Sequence, residues 1–208
     1  MTAVSIIGIG NMGGAITRIA AAAGAAVQVV ARDEQKAAAL AADTGATPAA
    51  FGAELTGDIV VLAVPYGAVD EIVAAYGAQL AGKTVVDITN PVDFSTFDGL
   101  VVPTGSSATE QIAAALPDSN VVKAFNTTFA ATLATGTVGE AGPTTVLVAG
   151  DDAEAKQALI DLVRAGGLRS EDAGALKRAR ELESLGFLQL ALAVGEKLPW
   201  TGGFAVAA

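Results

Sequence analysis

The sequence predicts an α/β protein built on a doubly wound parallel sheet, with a small carboxy-terminal α/β domain following it. Three observations carry this. Apolar runs of strand length alternate with helix-length stretches as far as residue 126. A glycine triplet, Gly8, Gly10 and Gly13, falls where the first strand pattern gives way to the first helix pattern. The alternation then changes rhythm after Phe129. Strands separated by helices pair in parallel through right-handed crossovers and are covered on both faces, which makes the first part Rossmann-type.

Taken in order, residues 3–9 read as a buried strand, residues 11–23 as an alanine-rich helix stopped by Gly24, and residues 25–30 as a second strand containing β-branched side chains. A short run near Ala46 and Thr47 suggests another strand. "DIVVLAVP" (58–65), "KTVVDITNP" (83–91) and "NVVKAFN" (120–126) are apolar runs of strand length, separated by "GAVDEIVAAYGAQL" and "SSATEQIAAALP", which read as helices. Beyond Phe129, "TTVLVAG" (144–150) is strand-like, and a helix begins near the capping residues Asp151 and Asp152. "GLRSED" follows as a short strand or turn. An apolar-faced helix from Leu176 to Val194 precedes the tail "GEKLPWTGGFAVAA". The expected division is residues 1–127 as a nucleotide-binding domain and 128–208 as a smaller domain, without a linker-like segment between them.

Composition narrows the chemistry. The chain has no cysteine and no histidine, which excludes disulfides, thiolate nucleophiles, the usual zinc and haem sites and every histidine-based proton relay. A net charge of −10 argues against non-specific nucleic-acid binding. No apolar run reaches membrane-spanning length, and the positive mean hydropathy comes from alanine. The amino terminus is a strand pattern with no basic region before it, so a cytoplasmic location is expected.

Gly8, Gly10 and Gly13 form G-x-G-x-x-G at the end of a strand and the start of a helix. The first allows a tight turn, the second lets a pyrophosphate approach the backbone, and the third lets the helix pack on the strand. Free amides around Asn11 and Met12 would then face phosphates. At the end of the second strand an acidic residue would take both ribose hydroxyls and repel a 2′-phosphate; Ala31 and Arg32 stand there instead, with Lys36 a turn further on. A small residue leaves room, a guanidinium grips phosphate with paired hydrogen bonds, and the lysine adds charge, so NADP is expected. Asp33 and Glu34 leave open that an acid turns inward, or that Arg32 and Lys36 belong only to a solvated helix start.

Dehydrogenases of alcohols move a proton with the hydride, usually through His, Lys or a Tyr–Lys pair. Tyr66 and Tyr76 lack the Tyr-x-x-x-Lys spacing, and the late helix carries no lysine along its middle. One chemistry left by elimination is hydride exchange between NADP and a second redox cofactor, which asks the protein for little proton transfer.

The stretches "IIGIGNMGGAI", "ARDEQK", "VVKAFNT" (121–127), "EDAGALKRARELESL" (171–185) and "WTGGFAV" (200–206) together resemble the F420-dependent NADP oxidoreductases, over nearly the whole chain. The resemblance implies hydride transfer between NADP(H) and the deazaflavin F420, a Rossmann domain with a small carboxy-terminal domain, and a homodimer. It places pyrophosphate at Gly10, Asn11 and Met12 and the 2′-phosphate at Arg32 and Lys36. Ala63, Val64 and Pro65 after one strand, and Asn90 and Pro91 after the next, would border the adenine and nicotinamide ends. The deazaflavin would lie near Asn126, Thr127 and Thr128, with Trp200, Gly203 and Phe204 closing its far side. Archaeal members carry histidine at the position of Asn126, and serine stands in the family where this chain has Ala31. Asparagine hydrogen-bonds but does not titrate, so FMN or FAD, a quinone or a ferric chelate is kept as an alternative acceptor, and a non-catalytic NADP sensor as a third reading. In structural terms Asn90-Pro91 is also an ordinary strand-ending turn, Asn126 and Thr127 are also backbone caps, and Trp200 is also a core cover. Arg178 and Arg180 either pair with Glu181 or Glu183, form a solvated face, or attract an acidic cofactor tail. Leu182, Leu185 and Leu192 form an apolar face that packs either on a second copy or on the chain itself.

Overall fold

The computed structural model describes residues 2–206. One sheet runs through it, in the order β3-β2-β1-β4-β5-β6-β7-β8. Its strands are β1 (Ala3–Ile7), β2 (Ala26–Ala31), β3 (Thr47–Ala50), β4 (Ile59–Leu62), β5 (Thr84–Asp87), β6 (Asn120–Lys123), β7 (Thr145–Gly150) and β8 (Arg169–Gly174). The helices are α1 (Asn11–Ala22), α2 (Glu34–Thr44), α3 (Val69–Leu80), α4 (Ala108–Ala115), α5 (Ala130–Thr135), α6 (Ala153–Ala165) and α7 (Ala179–Val194). The first six strands are parallel, β7 joins β6 antiparallel, and β8 joins β7 parallel. Residues after 127 therefore add two strands to the edge of the sheet that the first part builds.

Alternation along each strand divides the core between two faces. Val4, Ile6, Val29, Val61 and Val86 pack on one side with Ile16 and Ile19 of α1 and with Leu159, Ile160 and Val163 of α6. Ile7, Val30, Leu62 and Val85 pack on the other with Ile72, Tyr76 and Leu80 of α3 and Ile112 of α4. The chain leaves β1 toward β2 in one direction and returns to β4 on the other side of β1. That reversal opens a crevice beyond the carboxyl ends of β1 and β4, where ligands of such sheets bind.

The predicted strands at 83–91 and 120–126 are shorter than expected, ending at Asp87 and Lys123. Beyond each, the chain turns away from the ladder: Thr89 N donates to Asp87 Oδ1 at 2.8 Å, and Phe125 takes φ 63°, a left-handed conformation costly for a bulky side chain. The late helix begins as a single 3₁₀ turn at Leu176–Arg178 before α7 proper. Asp152 caps α6 by accepting from Ala155 N, whereas Asp151 accepts from Leu176 N and ties the entry of the late helix to the end of β7. Asp172 serves the turn before that helix, accepting from Gly174 N and pairing with Lys156. On α7, Leu182 is buried within the chain, while Leu188 and Val194 stand exposed.

A buried ionic group docks α7 on the sheet. Lys123 at the end of β6 is fully buried and donates to Asp87 Oδ2 at 2.8 Å, Glu183 Oε1 at 2.9 Å and the Thr89 carbonyl at 2.6 Å. All three ammonium protons are thereby used. Glu183 also accepts from the amides of Ala108 and Thr109, at the start of α4, where the helix dipole favours a carboxylate. Thr109 Oγ1 bridges the two acids, 2.7 Å from Asp87 Oδ2 and 3.2 Å from Glu183 Oε1. Breaking such a group is far more damaging than its net value suggests, because it strands buried charge. Lys123→Met, which leaves both carboxylates without their cation, is expected to cost about 3–5 kcal/mol in urea unfolding; a loss under about 1 kcal/mol would refute this role.

Candidate functional site

The crevice is floored by glycine for two different reasons. Gly8 takes φ +104°, and a Cβ there would lie 2.2 Å from the Ala63 carbonyl oxygen; one on Gly13 would lie 2.1 Å from the Gly8 carbonyl oxygen. These two glycines let β1, β4 and α1 touch. Gly10 has open space where its side chain would be, so its vacancy serves no packing inside the chain. It is also the N-cap of α1, and it supplies no side-chain cap to the amides of the first turn, which contains no acidic residue. Uncapped amides at the start of a 12-residue helix, with an open glycine before them, form a cradle for phosphate.

On one side of this helix start lies a cleft of about 360 Å³, lined by Gly8, Gly10, Ala31, Arg32, Lys36, Phe51, Val64, Pro65 and Ile72 among others. Ala31 is buried at its back. The Arg32 guanidinium pairs with Glu71 of α3 and lies 5.2 Å from the centroid of the Phe51 ring. Asp33, an acid whose direction the sequence left open, is the N-cap of α2: its Oδ1 accepts from Lys36 N at 3.0 Å. That bond holds the Asp33 carboxyl below its ordinary value. Lys36 Nζ stands 3.4 Å from Asp33 Oδ2 and still lines the cleft. A cavity with an apolar slot and two cations at its rim fits an adenosine carrying a phosphate.

On the other side of the helix start is a second cavity, of about 350 Å³, whose wall includes Asn11, Met12, Asn90, Asn126, Thr128, Phe129 and Trp200. Its back is a locked pair of amides. Asn126 Nδ2 donates to Asn90 Oδ1 at 2.9 Å and to the Leu182 carbonyl at 2.8 Å, and Asn90 Nδ2 donates to the Asn126 carbonyl at 2.9 Å. Both protons of the Asn126 amide are committed, and its Oδ1 is buried with no partner among the described residues. A buried unpaired acceptor is costly unless something supplies a donor. Gly186 of α7 makes the pair possible, since a Cβ there would sit 2.5 Å from Asn90 Oδ1.

The tail from α7 closes this cavity. Trp200 packs on Phe129 with ring centroids 4.8 Å apart. Gly139 N donates to the Thr201 carbonyl and Phe204 N to Gln189 Oε1, and a Cβ on Gly203 would fall 2.9 Å from the same oxygen. Gly203 and Phe204 thus anchor the tail; neither they nor the buried Pro91 and Thr127 are among the residues lining the cavity. Ala63 lies under the glycine turn, with its carbonyl against Gly8, and is not among the residues lining either cavity. Arg178 pairs with Glu181, and Arg180 donates to the Gly105 carbonyl beside an open depression that no sequence motif indicated. Burial first, and then the charges of Asp70, Glu183 and Asp87, push the Tyr66 phenol up; it stays protonated and donates to Gln111 Oε1.

Sequence reasoning missed Lys123, Glu183, Phe51 and Glu71. A signal existed for the first: Asp87 and Lys123 are lone charges at the ends of two apolar strands, and they are register partners. Nothing local marks Phe51 or Glu71, which reach Arg32 from separate elements.

A family model described as "NADP oxidoreductase coenzyme F420-dependent" matches residues 3–91. An F420-dependent NADP reductase of Methanocaldococcus jannaschii is 32% identical over 150 residues, 70% of this chain and 66% of that protein, so the chain spans about two thirds of its length. Metalloreductase STEAP3 of Rattus norvegicus is 37% identical over 107 residues, 51% of this chain but only 20% of that protein. A crystal structure from Arthrobacter sp. FB24, provisionally named an F420-dependent NADP-reductase, superposes with a TM-score of 0.85 at 26% identity, covering 100% of both chains. An imine reductase from Bacillus cereus, at 19% identity and a TM-score of 0.67 over 94% of this chain and 63% of that one, shares the fold. By sequence and by architecture, then, the chain belongs to the F420-dependent NADP oxidoreductases, a family of NADP-dependent enzymes.

Proposed function

We propose that this protein transfers a hydride between NADP(H) and the deazaflavin coenzyme F420. The observation that carries the reading is the pair of cavities flanking one uncapped helix start, one rimmed by Arg32 and Lys36, the other backed by the Asn90–Asn126 pair. When bound, the cofactors would supply the redox chemistry, a hydride passing between them with one proton exchanged with solvent. The chain binds and orients. Gly10, Asn11 and Met12 present amides to the pyrophosphate; Arg32 and Lys36 hold the 2′-phosphate; Val64 and Pro65 wall the adenosine side. Asn90 and Asn126 back the second-cofactor side, and Phe129 and Trp200 cover it.

In this reading residues 1–127 hold NADP and residues 128–208 complete the second-cofactor side. FMN, FAD, a quinone or a ferric chelate are the competing acceptors, which asparagine at 126, where archaeal members carry histidine, leaves open. We also read the protein as a cytoplasmic homodimer joined along α7, where Leu188 and Val194 are exposed; sedimentation should give twice the chain mass, and a monomer at micromolar concentration would rule the dimer out.

Mixing NADPH with F420 should bleach the deazaflavin absorbance, and faster than with FMN or FAD; faster flavin turnover selects the flavin reading, and binding without turnover of any acceptor selects the sensor. In the same assay Arg32→Ala should lose about 1–3 kcal/mol of preference for NADPH over NADH, the value of a charge-assisted phosphate contact. Gly186→Ala places a methyl against the Asn90–Asn126 pair. Acceptor turnover should fall about tenfold or more from misplacement, while NADPH titration remains that of the parent; an equal loss in both would show a general fold defect.

A further inference from the structure

Both cations at the rim of the adenosine cleft are already held by acids of the same chain, Arg32 by Glu71 and Lys36 by Asp33. The two acids differ in what else they do. Asp33 caps α2, so it is committed to the helix start whether or not a ligand is present. Glu71 lies in the first turn of α3, a favourable place for an acid, but Asp70 occupies the same turn. Among the described residues Glu71 makes no other hydrogen bond or ion pair than that with Arg32. Its carboxylate already takes the Nη2 group of the Arg32 guanidinium, one of the groups a phosphate would use, and the Phe51 ring lies against that guanidinium.

We propose that Glu71 is a specificity-determining residue: an internal anion that competes with the coenzyme's 2′-phosphate for Arg32. The inference rests on the NADP reading above. A guanidinium has donors enough to touch both anions, but a doubly charged phosphate brought beside a carboxylate is repelled by it. NADH, which carries a hydroxyl there, meets no such opposition and leaves the Arg32–Glu71 pair intact. Glu71 therefore narrows the preference for the phosphorylated coenzyme without weakening the site for its sibling. The side chains of the pair are 66% and 53% exposed, so the effect is that of a solvent-screened contact and should shrink as salt rises.

The test is titration of NADPH and of NADH against the parent, Glu71→Gln, Asp70→Asn and Arg32→Ala, at low and at physiological salt. Glu71→Gln should tighten NADPH about three- to tenfold at low salt, less at high salt, with NADH unchanged. Asp70→Asn, which removes the neighbouring charge but not the Arg32 partner, should change NADPH binding by less. Unchanged or weakened NADPH binding in Glu71→Gln overturns the proposal, as does an equal gain in Asp70→Asn, which would reduce it to net charge. An Arg32→Ala protein that binds NADPH as tightly as the parent overturns the NADP reading itself and this inference with it; loss of NADPH in Arg32→Ala together with no gain in Glu71→Gln overturns the inference alone.

Discussion

The group formed by Lys123, Asp87 and Glu183 lies where two strands and two helices converge, and much of the second cavity follows from it. Asp87 and Lys123 close adjacent strands in register, and Glu183 draws α7 onto them while neutralising the free amides of α4. Fully buried charge tolerates little displacement, because each lost bond leaves an ion without water to replace it. The register of α7 is thereby set to the residue. One position before Glu183, the Leu182 carbonyl meets Asn126; three positions after, Gly186 leaves room for Asn90.

The two ends of the crevice are built by different physics. At the end rimmed by Arg32 and Lys36 the groups on offer are backbone amides, an open glycine and solvent-exposed cations, all supplied by the β1-α1-β2 unit and its neighbours. At the other end they are neutral amides, fixed by bonds between segments more than thirty residues apart, under an aromatic cover from the tail. The family match stops at residue 91, so it speaks to the first of these ends and not to Asn126 or Trp200. The whole-length architectural likeness extends over both.

This division explains what could be read from the residue order. The sheet was legible because buried parallel strands are short apolar runs, and the start of α6 because Asp152 caps it as its side chain suggests. The glycine fingerprint was legible as a tight strand-to-helix turn because that geometry is local. The strand ends at Asp87 and Lys123 were not, since the apolar pattern runs on past the point where the backbone turns aside. Contacts such as Arg32 with Glu71 and Phe51, or Asn126 with Leu182, depend on which distant segments the fold brings together. Periodicity carries no information about them.

Trp200 is the chain's single tryptophan, half exposed and tilted against Phe129 at the second cavity. The indole emission of this protein therefore arises wholly from one vantage point, above one chamber and separated from the other by a helix terminus. Quenching or a spectral shift is a built-in gauge of events in that chamber, obtainable without labels or engineered probes.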